Sequence, residues 1–316
     1  MKKARVFPRI AFWSVMGLTI AAAVLRTAAF LTGYDADVGY FRAAAVTVIY
    51  RVLCACAVLI PALCAWLTPA SDAVSPRIGD RRELSVAIPL AASLWLSFSL
   101  FRSYLLSSGT KSTGWAVLLA AMLALCAAFY FLLLLVGAGR RNVRGLLGMC
   151  VIFLCVLLVG LTYNDPYVTM NSPVKLAVQF ACVGVMLGMT AELRMLLDKP
   201  APRLALPLLA CAAFFCVAGA LPCLVARACG AIPATHPEGG ALYLSYLLFA
   251  FLMGLYMLVR FVLLVFMPAE HTGIPFDADP AGEAPAAEPA ADAVPDASTA
   301  SDEAPQEPSD KAEDSL

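Results

Sequence analysis

Eight long apolar runs, each about as long as a membrane-spanning helix, dominate this 316-residue sequence. The hydrocarbon core of a bilayer is ~30 Å thick and a helical residue rises ~1.5 Å, so one crossing needs about 20 mainly apolar residues. The fourth run is the clearest, because no charged residue occurs from Gly114 to Gly139. The predicted spans lie near residues 10–32, 43–67, 85–106, 115–138, 146–162, 174–197, 204–225 and 242–267.

Composition supports the same interpretation. Hydrophobic residues make up 61% of the chain, whereas a soluble domain is usually ~45–50% apolar. A soluble protein with eight buried helices of this kind would lack the polar surface needed to cover its core. We therefore predict an all-α fold, a polytopic transmembrane bundle of about eight helices over residues 1–269, with the lipid bilayer as its surroundings.

The formal net charge of zero hides a strong asymmetry along the chain. Residues 1–269 contain 21 Lys and Arg against 9 Asp and Glu, a net charge of +12, whereas residues 270–316 contain Lys311 alone against 13 Asp and Glu, a net charge of −12. The acidic segment is rich in Ala and Pro and has too few large apolar residues to offset its ordering entropy. We predict a disordered acidic tail over 270–316. It is either a solvated extension or a segment that folds back on the basic cytoplasmic loops or binds a basic cytoplasmic partner.

The basic residues between the spans predict the orientation of the chain. Lys and Arg concentrate before the first span and in every second loop after it, and the alternate loops carry about one each. Under the positive-inside rule, the basic segments face the cytoplasm. This multi-pass protein is therefore predicted to lie in the plasma membrane with both termini in the cytoplasm. The basic segment residues are Lys2, Lys3, Arg5, Arg9, Arg77, Arg81, Arg82, Arg140, Arg141, Arg144, Lys199 and Arg203.

The N-terminus also has features of a cleavable secretory signal. Basic residues precede an apolar stretch that reaches Ala21-Ala22-Ala23, a small-residue sequence of the kind that signal peptidases recognise. The apolar run continues past Arg26 to a full span. An uncleaved first helix is the favoured interpretation, and cleavage would leave seven spans.

Charged residues in the outer half of the first spans form the first candidate site. An ionisable residue inside a span is costly and points to function by default. Arg26 lies six residues from the outer end of the first span and Arg51 eight residues into the second. With Asp35 and Asp37 in the loop between them as counter-charges, they predict a vestibule that binds an anionic substrate or headgroup. For Arg26, the favoured alternative is that its side chain extends to the interface. Arg51 is the deeper of the two.

A second candidate site lies toward the cytoplasmic ends of the sixth and eighth spans. Gly184 and Gly188 form a GxxxG on the sixth span, and steps of three and four residues place Glu192 on the same stripe. Small residues let another helix approach closely, so Glu192 is predicted to point into the bundle. Arg260 lies at a similar depth on the eighth span. We predict a Glu192–Arg260 ion pair, either a structural lock or a coupling residue for transport.

Several function classes lack the residues that they need. The two histidines, His236 and His271, lie outside the predicted spans, which argues against a metal-dependent intramembrane protease and against His-dependent acyl transfer. No P-loop or GxSxG motif provides a cofactor site or a catalytic nucleophile. The dispersed basic residues are explained by topology without nucleic acid. The cysteines fall mostly within apolar runs, where a thiol packs as a small hydrophobe. We predict no catalytic residue, metal or cofactor.

The eight-span layout, the Asp35–Phe41 loop and the Glu192-Leu193-Arg194 sequence that ends the sixth span resemble those of uncharacterised bacterial polytopic membrane proteins. The resemblance implies the fold and no activity. Two functions fit the sequence. One is a small-solute transporter or permease subunit. The other is a non-catalytic membrane scaffold or sensor component that presents the acidic tail to a partner.

Overall fold

The fold is an α-helical membrane bundle. The computed structural model describes residues 6–35, 38–68, 89, 92–97, 99–100, 114–136, 141–197 and 202–266. Within these ranges, seven helices are long and apolar enough to cross a membrane. They are α1 (Val6–Gly33), α2 (Ala44–Leu67), α3 (Gly114–Val136), α4 (Arg141–Tyr163), α5 (Pro173–Leu196), α6 (Pro202–Ala228) and α7 (Ala241–Phe266).

These helices coincide with seven of the eight predicted spans, and each helix end lies within five residues of the predicted end. The agreement follows from the physical origin of the signal, since a mainly apolar run of about 20 residues has few alternatives to a helix in lipid. The remaining predicted span, 85–106, is described at residues 89, 92–97 and 99–100, all of which are helical. Asp37 and the predicted tail, 270–316, lie outside the described residues.

A small hairpin connects α1 to α2 and was not part of the sequence prediction. Strand β1 (Tyr34–Asp35) pairs antiparallel with β2 (Tyr40–Phe41), with Tyr34 opposite Phe41. Gly39 allows the tight turn because its φ of 73° is one that side-chain-bearing residues rarely adopt. The Phe30 ring at the end of α1 packs edge-on against Phe41 at 4.9 Å. The hairpin marks one end of the bundle, which we call the hairpin end.

The last three helices form the most densely packed part of the bundle. Helices α5 and α7 both run away from the hairpin end, and α6 runs toward it and contacts both. A Cβ atom added at Gly184 would lie 3.0 Å from Cys216 Sγ of α6, and one added at Gly188 would lie 2.5 Å from Met257 Sδ of α7. The two glycines therefore permit the close helix approach that the GxxxG stripe predicted.

The same close packing continues between α6 and α7. A Cβ atom at Gly254 would lie 2.7 Å from Cys216 Cβ. The thiols of Cys155, Cys182 and Cys216, on three successive helices, are buried at the middle of this region. All eleven cysteines of the chain are free thiols. Small residues and thiols together fill the middle of the bundle between its two ends.

Replacement of Gly254 by Ala tests this packing. The added methyl group meets Cys216 Cβ, an atom fixed to the backbone of α6, so the helices must separate. Gly254→Ala is expected to destabilise the protein by about 1–3 kcal/mol, the usual effect of overpacking, in thermal unfolding of the purified protein. Gly160→Ala is the matched control, because nothing lies within 4 Å of a Cβ added at Gly160 of α4. Equal stability of the two variants would contradict the close approach of α6 and α7.

Candidate functional site

The candidate site is a buried polar cluster around Glu192, at the end of the bundle opposite the hairpin. We define the Glu192 cluster as Tyr130 of α3, Glu192 of α5, and Tyr256 and Arg260 of α7. Arg260 Nη2 lies 3.0 Å from Glu192 Oε1, and the hydroxyl groups of Tyr256 and Tyr130 donate to the same oxygen, the latter at 3.3 Å. The structure thus brings together the two residues that the sequence predicted as an ion pair.

Helical periodicity places these side chains together. Glu192 continues the Gly184–Gly188 stripe of α5, which faces α6 and α7. Tyr256 and Arg260 are four residues apart on α7 and share one face, and Arg260 Nε donates to the Tyr256 hydroxyl at 3.0 Å. The guanidinium group also lies 5.3 Å from the centre of the Tyr256 ring. Tyr256 therefore contacts both members of the ion pair.

Burial makes these interactions strong and also makes an unpaired group costly. Glu192 is completely buried and Arg260 is 4% exposed. All the hydrogen bonds recorded for the carboxylate reach Oε1, whereas Oε2 is buried with no hydrogen-bond partner among the described residues. A buried polar atom left without a partner costs several kcal/mol in an apolar medium. Oε2 is therefore an unused hydrogen-bond acceptor within the cluster.

A further cation lies beside this cluster. Arg144, in the first turn of α4, is 3% exposed and lies within electrostatic range of Tyr130. Polar side chains from α3, α4, α5 and α7 thus meet at the Glu192 end of the bundle. Sequence reasoning found Glu192 and Arg260 but missed Tyr130, Tyr256 and Arg144. The four-residue spacing of Tyr256 and Arg260 was a signal that could have identified the tyrosine.

The two arginines predicted to bind a substrate have different environments. Arg26 is buried in the bundle, where its Nη2 donates to the Pro173 carbonyl at 2.6 Å and its guanidinium group lies 4.3 Å from the centre of the Tyr50 ring. It does not extend to the interface, the alternative that the sequence favoured. Arg51 instead has an exposed side chain on the outward face of α2. The buried neighbour Tyr50 occupies the inward face, and one residue along a helix turns the side chain by ~100°.

The acidic partners proposed for these arginines are also placed differently. Asp35 Oδ2 lies 3.3 Å from Arg42 Nη2, so the hairpin contains its own ion pair. Asp37 is outside the described residues. The predicted vestibule of Arg26, Arg51, Asp35 and Asp37 is therefore not assembled by the described residues, because Arg51 faces away from Arg26.

Other polar residues at the hairpin end were missed by sequence reasoning. Glu238, in a 3-10 turn at Pro237–Gly239, is buried and accepts a hydrogen bond from the Tyr34 hydroxyl. Burial, reinforced by the Glu238 carboxylate, raises the pKa of the Tyr34 phenol, so Tyr34 stays protonated and donates. No short-range pattern predicted this contact, because the two residues are 204 positions apart.

A second network ties the loop before α5 to α7. Lys175 is 1% exposed, and its ammonium group donates to the carbonyls of Asp165 at 3.1 Å and Val168 at 3.3 Å. The Tyr243 hydroxyl of α7 donates to the Asp165 carboxylate at 3.1 Å. Lys175 and Tyr243 thus fix the 165–168 loop over the first turns of α5 and α7.

Within the part of the chain that the structure describes, no group of three or more His, Cys, Asp and Glu residues is arranged to hold a metal ion. No known protein family, no curated protein and no solved structure matches the chain.

Replacement of Arg260 by Gln tests the Glu192 cluster. The substitution leaves a buried carboxylate without its counter-charge, a change that typically costs about 3–5 kcal/mol. Thermal unfolding of the purified protein is expected to show this loss of stability. Arg194→Gln is the matched control, since Arg194 lies two residues from Glu192 but is exposed. If both variants unfold at the wild-type temperature, Arg260 does not stabilise Glu192.

Replacement of Tyr34 by Phe tests the contact at the hairpin end. Removal of the hydroxyl leaves Glu238 Oε2 without its donor in a buried position, at an expected cost of about 1–3 kcal/mol. Hydrogen exchange of residues 34–41 should increase in the Tyr34→Phe protein. Tyr40→Phe is the control, because the Tyr40 side chain in the same hairpin is exposed. Unchanged exchange in Tyr34→Phe would show that this bond does not hold the hairpin.

Proposed function

We propose that this membrane protein is a small-solute transporter or permease subunit in which the Glu192 cluster closes one end of the route. The arrangement of basic segments supports placing this end at the cytoplasmic face of the plasma membrane, with both termini cytoplasmic. Residues 6–9 of α1 and the start of α4 at Arg141 lie at the same end of the bundle as Glu192. The hairpin end would then face outward.

The observation that carries this proposal is the ion pair of Glu192 with Arg260 and its unpartnered oxygen. Ionisable residues within membrane spans are costly, and they occur mainly on transport routes, proton relays and gates. The cluster joins α3, α5 and α7 only through side-chain contacts, which can be broken without unfolding a helix. Glu192 Oε2 offers an unused acceptor to a solute donor, and Oε1 loses its charged donor when Arg260 separates. A gate requires a contact that closes the route and other partners for the same groups when that contact opens.

A second function is supported by a different observation. The close contacts of Gly184, Gly188 and Gly254 with neighbouring helices favour a rigid bundle in which buried charges lock helices together. In this alternative, the protein is a non-catalytic scaffold or sensor component, and the acidic segment 270–316 binds a basic cytoplasmic partner or partner subunit. Breaking the ion pair would then reduce stability without changing solute movement.

Solute-uptake profiling in cells or proteoliposomes separates the two functions. The panel comprises small carboxylates, amino acids, phosphate and sugars, each tested with wild type, Tyr256→Phe, Arg51→Ala and a variant lacking residues 270–316. Tyr256→Phe removes one hydrogen bond to Glu192 but keeps the ion pair. It is therefore expected to weaken the gate and to change the uptake rate of a transported solute severalfold. Arg51→Ala should behave as wild type, because Arg51 is outside the proposed route.

The scaffold function predicts a different pattern in the same experiment. The wild-type protein would not increase the uptake of any solute in the panel. A cellular defect would arise only from deletion of the acidic segment. That result would contradict the transport proposal.

A further inference from the structure

We propose that Arg26 is the centre of an oxyanion-binding site at the hairpin end, which takes a carboxylate or phosphate oxygen from a free solute or from a lipid headgroup. We call it the Arg26 site and define it by Arg26 of α1, Tyr50 of α2 and Pro173 of α5. Binding at this site does not depend on the proposed function. The further step, that the bound anion is the transported solute, rests on that function.

The hydrogen bonds of Arg26 leave part of its donor capacity unused. The guanidinium group has five N–H donors and no acceptor. Its Nη2 donates to the Pro173 carbonyl, and its face is covered by the Tyr50 ring, whereas Nε is buried with no hydrogen-bond partner among the described residues. Arg26 is only 5% exposed. A buried charged donor without an acceptor is strongly destabilising unless a ligand fills the position.

No carboxylate of the described residues fills it. Among the residues that the structure describes, Arg26 forms no ion pair, whereas Arg260 pairs with Glu192 and Arg42 pairs with Asp35. Two other described carboxylates at this end, Glu238 and Asp165, each accept a tyrosine hydroxyl. Glu238 Oε1 is buried without a hydrogen-bond partner among the described residues. Arg26 is thus a buried cation that contacts a neutral carbonyl and the side chain of Tyr50.

The start of α5 adds positive potential at the same place. Pro173 is the first residue of α5, and Arg26 contacts its carbonyl. A helix N-terminus carries about half a positive charge. Ser172 Oγ already accepts hydrogen bonds from the backbone N–H groups of Val174 and Lys175. The N-terminus of α5 therefore contributes only its electrostatic potential, and the free hydrogen-bond donor is Arg26 Nε. The buried ammonium group of Lys175 in the same turn has the same sign. This potential favours an anion beside Arg26.

The hairpin lies directly over this site. Arg26 and Phe30 are four residues apart on one face of α1, and Tyr34 follows directly after the helix, so Arg26 lies about two helical turns from the hairpin. Phe30 is buried between them and packs against the Tyr34 ring at 5.1 Å. The hydrogen bond of Tyr34 to Glu238 holds the hairpin against the last loop. An anion therefore reaches Arg26 from the hairpin end when this contact opens.

The test measures oxyanion binding by thermal unfolding of the full-length protein in phosphatidylcholine nanodiscs. Sodium acetate or sodium phosphate is compared with sodium chloride at equal ionic strength. Wild type is expected to unfold at a higher temperature with at least one oxyanion, because a ligand that binds the folded state stabilises it. Arg26→Gln should lose this rise. Arg51→Gln should keep it, since Arg51 lies at similar depth but outside the site.

A second arm distinguishes the two sources of the oxyanion. In this arm, nanodiscs that contain phosphatidylglycerol replace the added salts. If the unfolding temperature rises only in these nanodiscs, and only when Arg26 is present, the ligand of the site is a lipid phosphate. If Arg26→Gln does not fold, Arg26→Lys serves in both arms. It keeps the charge but lacks Nε, so it should bind the oxyanion at least tenfold more weakly than wild type.

Two results would overturn the site. One is the absence of any oxyanion-dependent rise in wild type in either arm, and the other is an equal rise in wild type and the Arg26 variant. Neither depends on uptake. Oxyanion binding without solute uptake would therefore retain the site and reject only the transport proposal.

Discussion

A carboxylate placed inside an apolar bundle must find its partners within the protein, and the position of Glu192 imposes this requirement on three helices. Its Oε1 accepts from Arg260 and Tyr256 of α7 and from Tyr130 of α3. These donors fix the level at which α5 and α7 lie beside one another. Because an unpaired charge there is far more costly than a lost apolar contact, the ion pair constrains the register of these helices more strongly than their apolar surfaces do.

The parallel pair α5 and α7 carries a polar network at each end. Lys175 and Glu192 are 17 residues apart on α5, about 25 Å along the helix, and Tyr243 and Arg260 have the same spacing on α7. Between these levels, glycine, alanine and cysteine residues bring α6 against both helices. The middle of the bundle is closely packed, and the two polar networks lie at its ends. Glu192 Oε2 and Arg26 Nε, one at each end, are both buried without a hydrogen-bond partner among the described residues.

The sequence predicted the features that depend on depth in the membrane and was less successful with those that depend on rotation about a helix axis. Span length gave the helix bounds, and similar depth gave the Glu192–Arg260 pair. Arg26 and Arg51 lie at similar depths but face opposite ways, and the uniformly apolar residues around them gave no signal for which face is buried. The glycine stripe supplied that signal for Glu192. Contacts between distant loops, such as Tyr34 with Glu238, had no local pattern that could predict them.

The central claim is that Glu192 and Arg260 interact directly in the folded protein, and a charge-exchange cycle tests it most directly. The free energy of unfolding is measured for wild type, Glu192→Arg, Arg260→Glu and the double exchange. Each single variant is expected to be strongly destabilised, and the double exchange is expected to recover at least ~1 kcal/mol relative to the sum of the single effects. Additive effects, with no recovery in the double exchange, would contradict the ion pair and the gate built on it.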